Sequence, residues 1–196
     1  MRNVLYQAYR QVQRPCRFLI ACILGIMLFL PYPTNLQNYR SPSRKVDMPL
    51  VELTEHYLRF TNTAVQIALP IVLKDKIGIA QLIYTGIVAT VATHSLKRAL
   101  DRAEIEKTRL GERPSKPDSH QNMPSGHSSM ASCATYFVCR RYGLWHALYL
   151  LPILLLTMYA RVALNDHTVS AVIVGALVGF VTAALFTSPY KRDDAA

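Results

Sequence analysis

Six apolar blocks, separated by charged or proline-containing segments, constrain the fold of this chain more than any other feature of its sequence. They run over residues 18–32, 61–73, 77–96, 127–139, 144–160 and 168–186. A helix needs roughly 20 apolar residues to cross a bilayer. The pattern therefore predicts an all-α integral membrane protein with six transmembrane helices in a bundle. The second block is short for a span, and residues 57–60 can extend it.

The length of 196 residues suits one membrane-embedded domain covering residues 1–196. Before the first block, Val4, Leu5, Ala8 and Val12 share one helical face. This spacing predicts an N-terminal helix in the membrane interface, with a frayed tail as the alternative. Residues 49–60 can form a second short amphipathic helix. The cysteines fall in or beside apolar blocks without zinc-ligand spacing, and we interpret them as small apolar residues.

The formal net charge is +10, from 22 Lys and Arg against 12 Asp and Glu. A balance of this kind is typical of chains that bind nucleic acid, anionic lipid or an anionic substrate. Much of the charge lies between apolar blocks here, and no basic stripe is interleaved with aromatic residues that could stack on bases. The composition therefore favours membrane lipids and a phosphate-bearing substrate as partners. It predicts no nucleic-acid partner and indicates no obligate protein partner.

An even number of spans places both termini on one side of the membrane, together with the charged turns at residues 74–76 and 140–141. The segments 97–123 and 161–166 then lie together on the opposite side. Short loops and a basic N-terminus favour termini on the inside. We therefore expect the segments 97–123 and 161–166 to face outwards, which is the periplasm for a bacterial inner-membrane protein.

The stretch Pro124-Ser125-Gly126-His127 precedes the fourth block and has the composition of a helix start. A helix that begins here offers free N–H groups, a hydroxyl donor and the positive end of the helix dipole, which together suit a phosphate. A histidine beside them can donate a proton near neutral pH. The alternative is a serine N-cap with a histidine in the first turn by coincidence.

Two further segments are predicted on the same membrane face as this stretch. Lys97 ends the third block and Arg113 follows in the loop, while Arg161 ends the fifth block and His167 opens the sixth. Cations and free helix N–H groups are what a phosphate with developing charge requires. Two histidines from different helices can supply a nucleophile and a proton donor. Alternatively, the arginines are interfacial residues that extend towards the headgroups.

The three motifs, in this order, resemble the type-2 phosphatidic acid phosphatase superfamily, and the motif-bearing part spans residues 97–175. The resemblance implies that His167 is the nucleophile that forms a phosphohistidine and that His127 is the general acid for the leaving alcohol. It implies no metal and no other cofactor. The residues implied as phosphate ligands are Lys97, Arg113, Ser125, Gly126 and Arg161.

Two positions depart from the family pattern. The lysine usually found seven residues before the arginine is replaced by Glu106, so we assign its role to Lys97, with Lys107 as the alternative. The aspartate that usually orients the nucleophilic histidine, one helical turn after it, is Ala171 here. We hypothesise that Asp166 orients His167 instead, with Ser170 and Asp118 as other candidates.

The resemblance implies a membrane lipid phosphatase that hydrolyses a phosphate monoester or pyrophosphate. The context Asn122-Met123-Pro124-Ser125-Gly126-His127-Ser128-Ser129-Met130 is similar to that of bacterial lipid A phosphatases, especially those acting on the 1-phosphate. Undecaprenyl pyrophosphate and phosphatidylglycerophosphate are alternative substrates, because the enzymes acting on them share the same motifs. A lipid phosphotransferase is a further alternative. A non-catalytic lipid-binding protein is disfavoured, because binding alone does not require both histidines.

Overall fold

The structure, a computed structural model, describes residues 2–31, 48–105, 108–115, 119 and 121–191. In this part of the chain, eight α-helices and one small hairpin form, in agreement with the all-α prediction. The strands β1 (Glu104–Ile105) and β2 (Thr108–Arg109) pair antiparallel in the loop after α5. The helices are α1 (Arg2–Arg10), α2 (Cys16–Phe29), α3 (Pro49–His56), α4 (Thr61–Val72), α5 (Lys76–Leu100), α6 (Gly126–Tyr142), α7 (Ala147–Ala163) and α8 (Val169–Phe186).

The helices α6 and α8 form the centre of the bundle, and two glycines of α8 allow their close approach. A Cβ atom at Gly175 would lie 2.4 Å from the main-chain oxygen of Ser125, and one at Gly179 would lie 2.1 Å from that of Ser129. Small residues four apart let two helix backbones come this close within a membrane. The close contact positions the start of α6 beside the first turns of α8.

The other helices pack around this central pair. On one side, α2 and α5 cover α8, where Ile26, Phe29 and Leu96 contact the buried residues Val174 and Val178. On the other side, α4 and α7 cover α6, around the buried residues Phe137, Val138 and Leu150. The N-terminal helix α1 packs through Ala8 against Ile77 and Ala80 at the start of α5. A helix therefore forms where the N-terminal periodicity predicted one.

The two ends of the bundle differ in composition. At one end, Asp75 in the turn between α4 and α5 pairs with Arg141, and both side chains are fully buried. Arg141 also donates to the Ser188 main-chain oxygen at 3.0 Å, and its own carbonyl accepts from the Tyr190 N–H at 2.9 Å. This buried cluster joins the α4–α5 turn, the end of α6 and the C-terminal segment. The motif-bearing loops lie at the opposite end.

Within the described residues, three stretches are long and apolar enough to cross a membrane, namely Lys76–Leu100, Leu144–Ala163 and Val169–Phe186. The helix α2 is apolar but has only 14 residues, which span about 21 Å against a hydrocarbon thickness of roughly 30 Å. The count of six spans therefore stays a prediction. The outward faces of α2, α5 and α7 carry exposed large apolar side chains, as expected for lipid contact. They include Ile20, Leu24, Leu28, Ile83, Ile87, Val91, Leu148 and Leu155.

The close contact between α6 and α8 makes a stability prediction. We expect Gly179→Ala to destabilise the protein by about 1–3 kcal/mol, because its Cβ would be 2.1 Å from both the Ser129 oxygen and the Ser132 hydroxyl. Gly86→Ala is the matched control, since a Cβ at Gly86 meets nothing within 4 Å. Thermal unfolding in detergent measures both variants. Equal midpoints for the two variants would contradict the packing described here.

Candidate active site

Four segments meet at the motif-bearing end of the bundle. They are the last turns of α5, the described parts of the loop between β2 and α6 (residues 110–115, 119 and 121–125), the start of α6, and the turn from α7 into α8. Lys97 on α5 donates to the main-chain oxygen of Gln121 at 2.7 Å, which ties α5 to the loop. The Ser115 N–H donates to the Asn165 oxygen at 2.9 Å, which ties the loop to the α7–α8 turn. These bonds hold the predicted motifs together.

Ser125 is the N-cap of α6 and is fully buried. Its hydroxyl accepts from the Ser128 N–H at 3.4 Å, and its own N–H donates to the Ala171 oxygen at 2.9 Å. A capped helix leaves its first N–H groups without intrahelical acceptors, so Gly126 and His127 present amides and a positive dipole end. The structure therefore brings the α6 start against α8 as predicted, but it places the Ser125 side chain in the cap.

His167 lies in the turn before α8 and is 2% exposed. Its ring atom Nδ1 lies 2.7 Å from the main-chain oxygen of Asn122. A carbonyl oxygen only accepts hydrogen bonds, so Nδ1 carries the proton in this contact and Nε2 retains its lone pair. The imidazole is thereby held in the tautomer that can attack through Nε2.

Asn122 is a residue to which the sequence assigned no role. Its side chain bridges the two loops, because Nδ2 donates to the Leu110 oxygen at 3.2 Å and Oδ1 accepts from the Thr168 N–H at 3.0 Å. Asn122 is 2% exposed. The side chain thus fixes the position of the carbonyl that contacts His167. A main-chain acceptor leaves no trace in the residue type, so the sequence could not reveal it.

The candidates for orienting His167 have other partners in the structure. Asp166 pairs with Arg161 at 2.6 Å and lies 3.7 Å from Arg113, so its carboxylate is engaged by arginines. The Ser170 hydroxyl lies 3.1 Å from that of Thr168. Asp118 lies outside the described residues. The contact to His167 Nδ1 that we expected from a side chain is made by the Asn122 carbonyl.

The two predicted arginines converge on Asp166 from different segments. Arg113 comes from the loop, and Arg161, which is 4% exposed, comes from the last turn of α7. The Nε atoms of both arginines are buried, with no hydrogen-bond partner among the residues described. A buried donor without an acceptor costs about 1–3 kcal/mol, and an anion is the acceptor that best suits a guanidinium. The pair is suited to holding phosphate oxygens.

A cavity of about 700 Å³ opens beside these groups. Its polar end is lined by Lys97, Arg113, Gly126, His127 and His167. From there it continues between α4 and α5 to Ile67, Leu82, Gly86, Ala89 and Cys133. The structure thus places five of the predicted site residues in the lining of one cavity, and Ser125, Arg161 and Asp166 are not part of that lining. His94, one turn before Lys97, also lines the cavity and was not predicted.

Burial and the charges at the site lower the pKa values of His167 and Arg113. Burial, and then the positive charges of Arg161, Lys97 and Arg113, lowers the pKa of His167 well below its ordinary value of 6.5. Burial also lowers the pKa of Arg113, while Asp166 opposes that shift. His167 is therefore neutral at physiological pH, as a nucleophile must be. Burial and the neighbouring cations both disfavour a charged imidazole, which is why the pKa of His167 is lowered.

Two other residues at the site were not predicted, Glu55 on α3 and Arg59 in the short 3-10 helix that follows it. Glu55 pairs with both Arg59 and Arg161. Glu55 and Arg59 are four residues apart, a spacing that is common for ion pairs in helices and that indicated no function. Lys107, the alternative to Lys97, lies outside the described residues. Among the residues that are described, no three His, Cys, Asp or Glu side chains form a group that could hold a metal ion.

Comparisons with known proteins agree with this geometry. The profile of the PAP2 superfamily matches residues 78–193. Two proteins named lipid A 1-phosphatase, from two strains of Helicobacter pylori, are 42% and 41% identical to this chain over 177 and 174 residues. These matches cover 88% and 87% of this chain and the same shares of those proteins.

Two further comparisons are more distant. A lipid A 4′-phosphatase of Helicobacter pylori is 36% identical over 121 residues, covering 61% of each chain. The crystal structure of a transmembrane PAP2-type phosphatidylglycerolphosphate phosphatase from Bacillus subtilis has a TM-score of 0.60 and 18% identity. It covers 84% of this chain and 92% of that one. This likeness concerns the fold.

The charge environment of His167 predicts how its titration responds to substitution. Lys97→Met should raise the pKa of His167 by about 1, because it removes one of the cations that disfavour the charged ring. Lys76→Met, at the other end of the same helix, is the control and should leave it unchanged. Histidine-selective NMR in detergent reports both titrations. An unchanged His167 titration in Lys97→Met would show that the lysine charge does not reach the ring.

Proposed function

The chain belongs to the PAP2 superfamily and is a lipid phosphatase of that family. We propose that it removes the 1-phosphate of lipid A through a phosphohistidine on His167. The observation that carries the mechanism is the contact between His167 Nδ1 and the Asn122 carbonyl at 2.7 Å. That contact leaves Nε2 free to attack, and His167 lines the same cavity as His127, Lys97 and Arg113.

In the first step, the Nε2 lone pair of His167 attacks phosphorus, and the bond between phosphorus and the sugar oxygen breaks. His127 donates a proton to the departing oxygen, so the alcohol leaves neutral. The positive charge that develops on the His167 ring is stabilised by the Asn122 carbonyl at Nδ1–H. Lys97, Arg113 and Arg161, with the Gly126 amide, bind the phosphate oxygens as negative charge accumulates on them.

In the second step, neutral His127 accepts a proton from water while the water oxygen attacks phosphorus. The phosphorus–nitrogen bond breaks, and inorganic phosphate and free His167 result. Ser125 contributes as the cap that fixes the α6 start, and its hydroxyl is the remaining candidate donor to phosphate. The chemistry is assigned to cations and histidines rather than to a metal, because the cavity wall near His167 carries Lys97 and Arg113.

The shape of the cavity supports a lipid substrate. Its polar end is lined by Lys97 and Arg113, which we propose bind phosphate, and its apolar end reaches Leu82. Leu82 lies 15 residues before Lys97 on α5, which is about 22 Å along the helix. An acyl chain lying between α4 and α5 would keep the headgroup phosphate beside His167. The relatives named lipid A 1-phosphatase favour lipid A over undecaprenyl pyrophosphate and phosphatidylglycerophosphate.

The proposed location is the bacterial inner membrane, with the site facing the periplasm. It is supported by the basic N-terminal segment and by the short turn at residues 74–76, which lie at the end opposite the site. A phosphotransferase would use the same residues and differ only in its acceptor, which would be a lipid hydroxyl instead of water. The hydrogen bond between His167 and the Asn122 carbonyl would orient the nucleophile in the same way for either acceptor.

We expect purified protein in detergent with EDTA to release phosphate from lipid A. The panel includes undecaprenyl pyrophosphate, phosphatidylglycerophosphate and phosphatidic acid. His167→Ala should abolish release and prevent labelling of the protein by ³²P-lipid, whereas His127→Ala should slow release at least 100-fold. Activity that requires added metal, or labelling that survives in His167→Ala, would refute the mechanism. Transfer of phosphate to a second lipid without release would identify a transferase.

The acyl groove makes a separate prediction. Gly86→Trp should lower activity on long-chain lipid phosphates at least tenfold and leave activity on a short-chain phosphate unchanged, because the indole would fill the apolar part of the cavity. Ile87→Trp is the matched control, since the neighbouring side chain is 59% exposed on the lipid-facing surface. Equal effects on both chain lengths would place the acyl chain elsewhere.

A further inference from the structure

A carboxylate from outside the three motifs contacts one of the phosphate-site arginines directly. Nη1 of Arg161 donates to Oε1 of Glu55 at 2.7 Å, while Nη2 of the same guanidinium pairs with Asp166 at 2.6 Å. The same Glu55 oxygen also pairs with Arg59. Glu55 therefore joins two arginines, and Arg161 is held between two carboxylates.

The position of Glu55 is fixed by the packing of α3. The neighbouring residues Val51 and Thr54 are 2% and 1% exposed, and α3 packs through this face against α7, which carries Arg161. The start of α4 is anchored as well, because Nδ2 of Asn62 donates to the Leu150 oxygen of α7 at 3.0 Å. The segment that carries Glu55 is thus held to α7 on both sides.

The contact has two physical consequences for an anion at the site. First, two carboxylates on one guanidinium restrict its orientation, so Arg161 meets a phosphate without first losing rotamer freedom. Second, each carboxylate offsets one positive charge and competes with phosphate for guanidinium protons. The cations Lys97, Arg113 and Arg161 would together bind a phosphate dianion tightly, and a site that must release phosphate after every turnover needs that attraction limited.

We propose that Glu55 is a positioning residue that orients Arg161 and limits how tightly the site holds inorganic phosphate, the product. The inference rests on the proposed role of Arg161 as a phosphate ligand. Glu55 shares its oxygen between Arg59 and Arg161, and its other oxygen, Oε2, is buried with no hydrogen-bond partner in the described part of the chain. We expect the carboxylate to stay beside Arg161 when phosphate oxygens accept hydrogen bonds from the other N–H groups of the guanidinium.

The test is the affinity of the full-length protein in detergent for inorganic phosphate, measured by calorimetry and as product inhibition. Glu55→Gln keeps the shape of the side chain and removes its charge. It should tighten phosphate binding on the order of tenfold, because the negative charge of Glu55, which repels the anion, is lost. Both kcat and KM should fall. Glu52→Gln, on the exposed face of the same helix, is the control for charge alone and should change neither.

Two further variants separate the possible failures. Arg161→Gln should weaken phosphate binding at least tenfold, and if it does not, the proposed phosphate role of Arg161 is refuted. If Arg161→Gln weakens binding but Glu55→Gln leaves it equal or weaker, only the role of Glu55 is refuted.

If Glu55→Gln fails to fold, Glu55→Asp is tested instead, because it keeps the charge and shortens the side chain. It should then leave phosphate affinity within twofold and lower kcat, and tighter phosphate binding in Glu55→Asp would overturn the inference.

Discussion

The geometry of the site depends on one close contact, between the glycine face of α8 and the backbone of α6. Because Gly175 and Gly179 have no side chain, the main-chain oxygens of Ser125 and Ser129 can lie where Cβ atoms would otherwise be. The Ser125 N–H then reaches the Ala171 oxygen, at the first turn of α8. His127 lies two residues after Ser125 on α6, and His167 lies four residues before Ala171, in the turn that precedes α8. A wider helix separation would move the two histidines apart.

The second feature of the site is a balance of charge at the end of an apolar bundle. Three arginines, Arg59, Arg113 and Arg161, pair with two carboxylates, Asp166 and Glu55, and Lys97 lines the same cavity as Arg113. In a medium of low dielectric constant, unpaired cations would repel one another strongly, and the carboxylates relieve this repulsion. The Nε atoms of Arg59, Arg113 and Arg161 are buried and have no hydrogen-bond partner among the described residues. The site can therefore be stable without an anion and still bind one.

Much of this arrangement could be predicted from the sequence, because its signals are local. The apolar blocks predicted the helices that they contain to within a few residues. The motifs predicted which ends of α5, α6 and α7 converge. The residues that were missed act through features that residue type does not encode. Asn122 contributes a main-chain oxygen, and Glu55 reaches Arg161 from a helix more than 100 positions away in the chain. The substitution at Ala171 signalled that something else must hold His167, but not what.

The buried cluster at the opposite end of the bundle has a consequence for the order of assembly. Arg141 contacts Asp75, Gln81 and Ser188, which lie 66, 60 and 47 positions away along the chain. A charged side chain without its partner is costly to bury, so Asp75 cannot take its final place when only α4 and α5 have been synthesised. The cluster is complete only after Ser188 has left the ribosome. Final packing of this end of the bundle therefore requires the segment that follows α8.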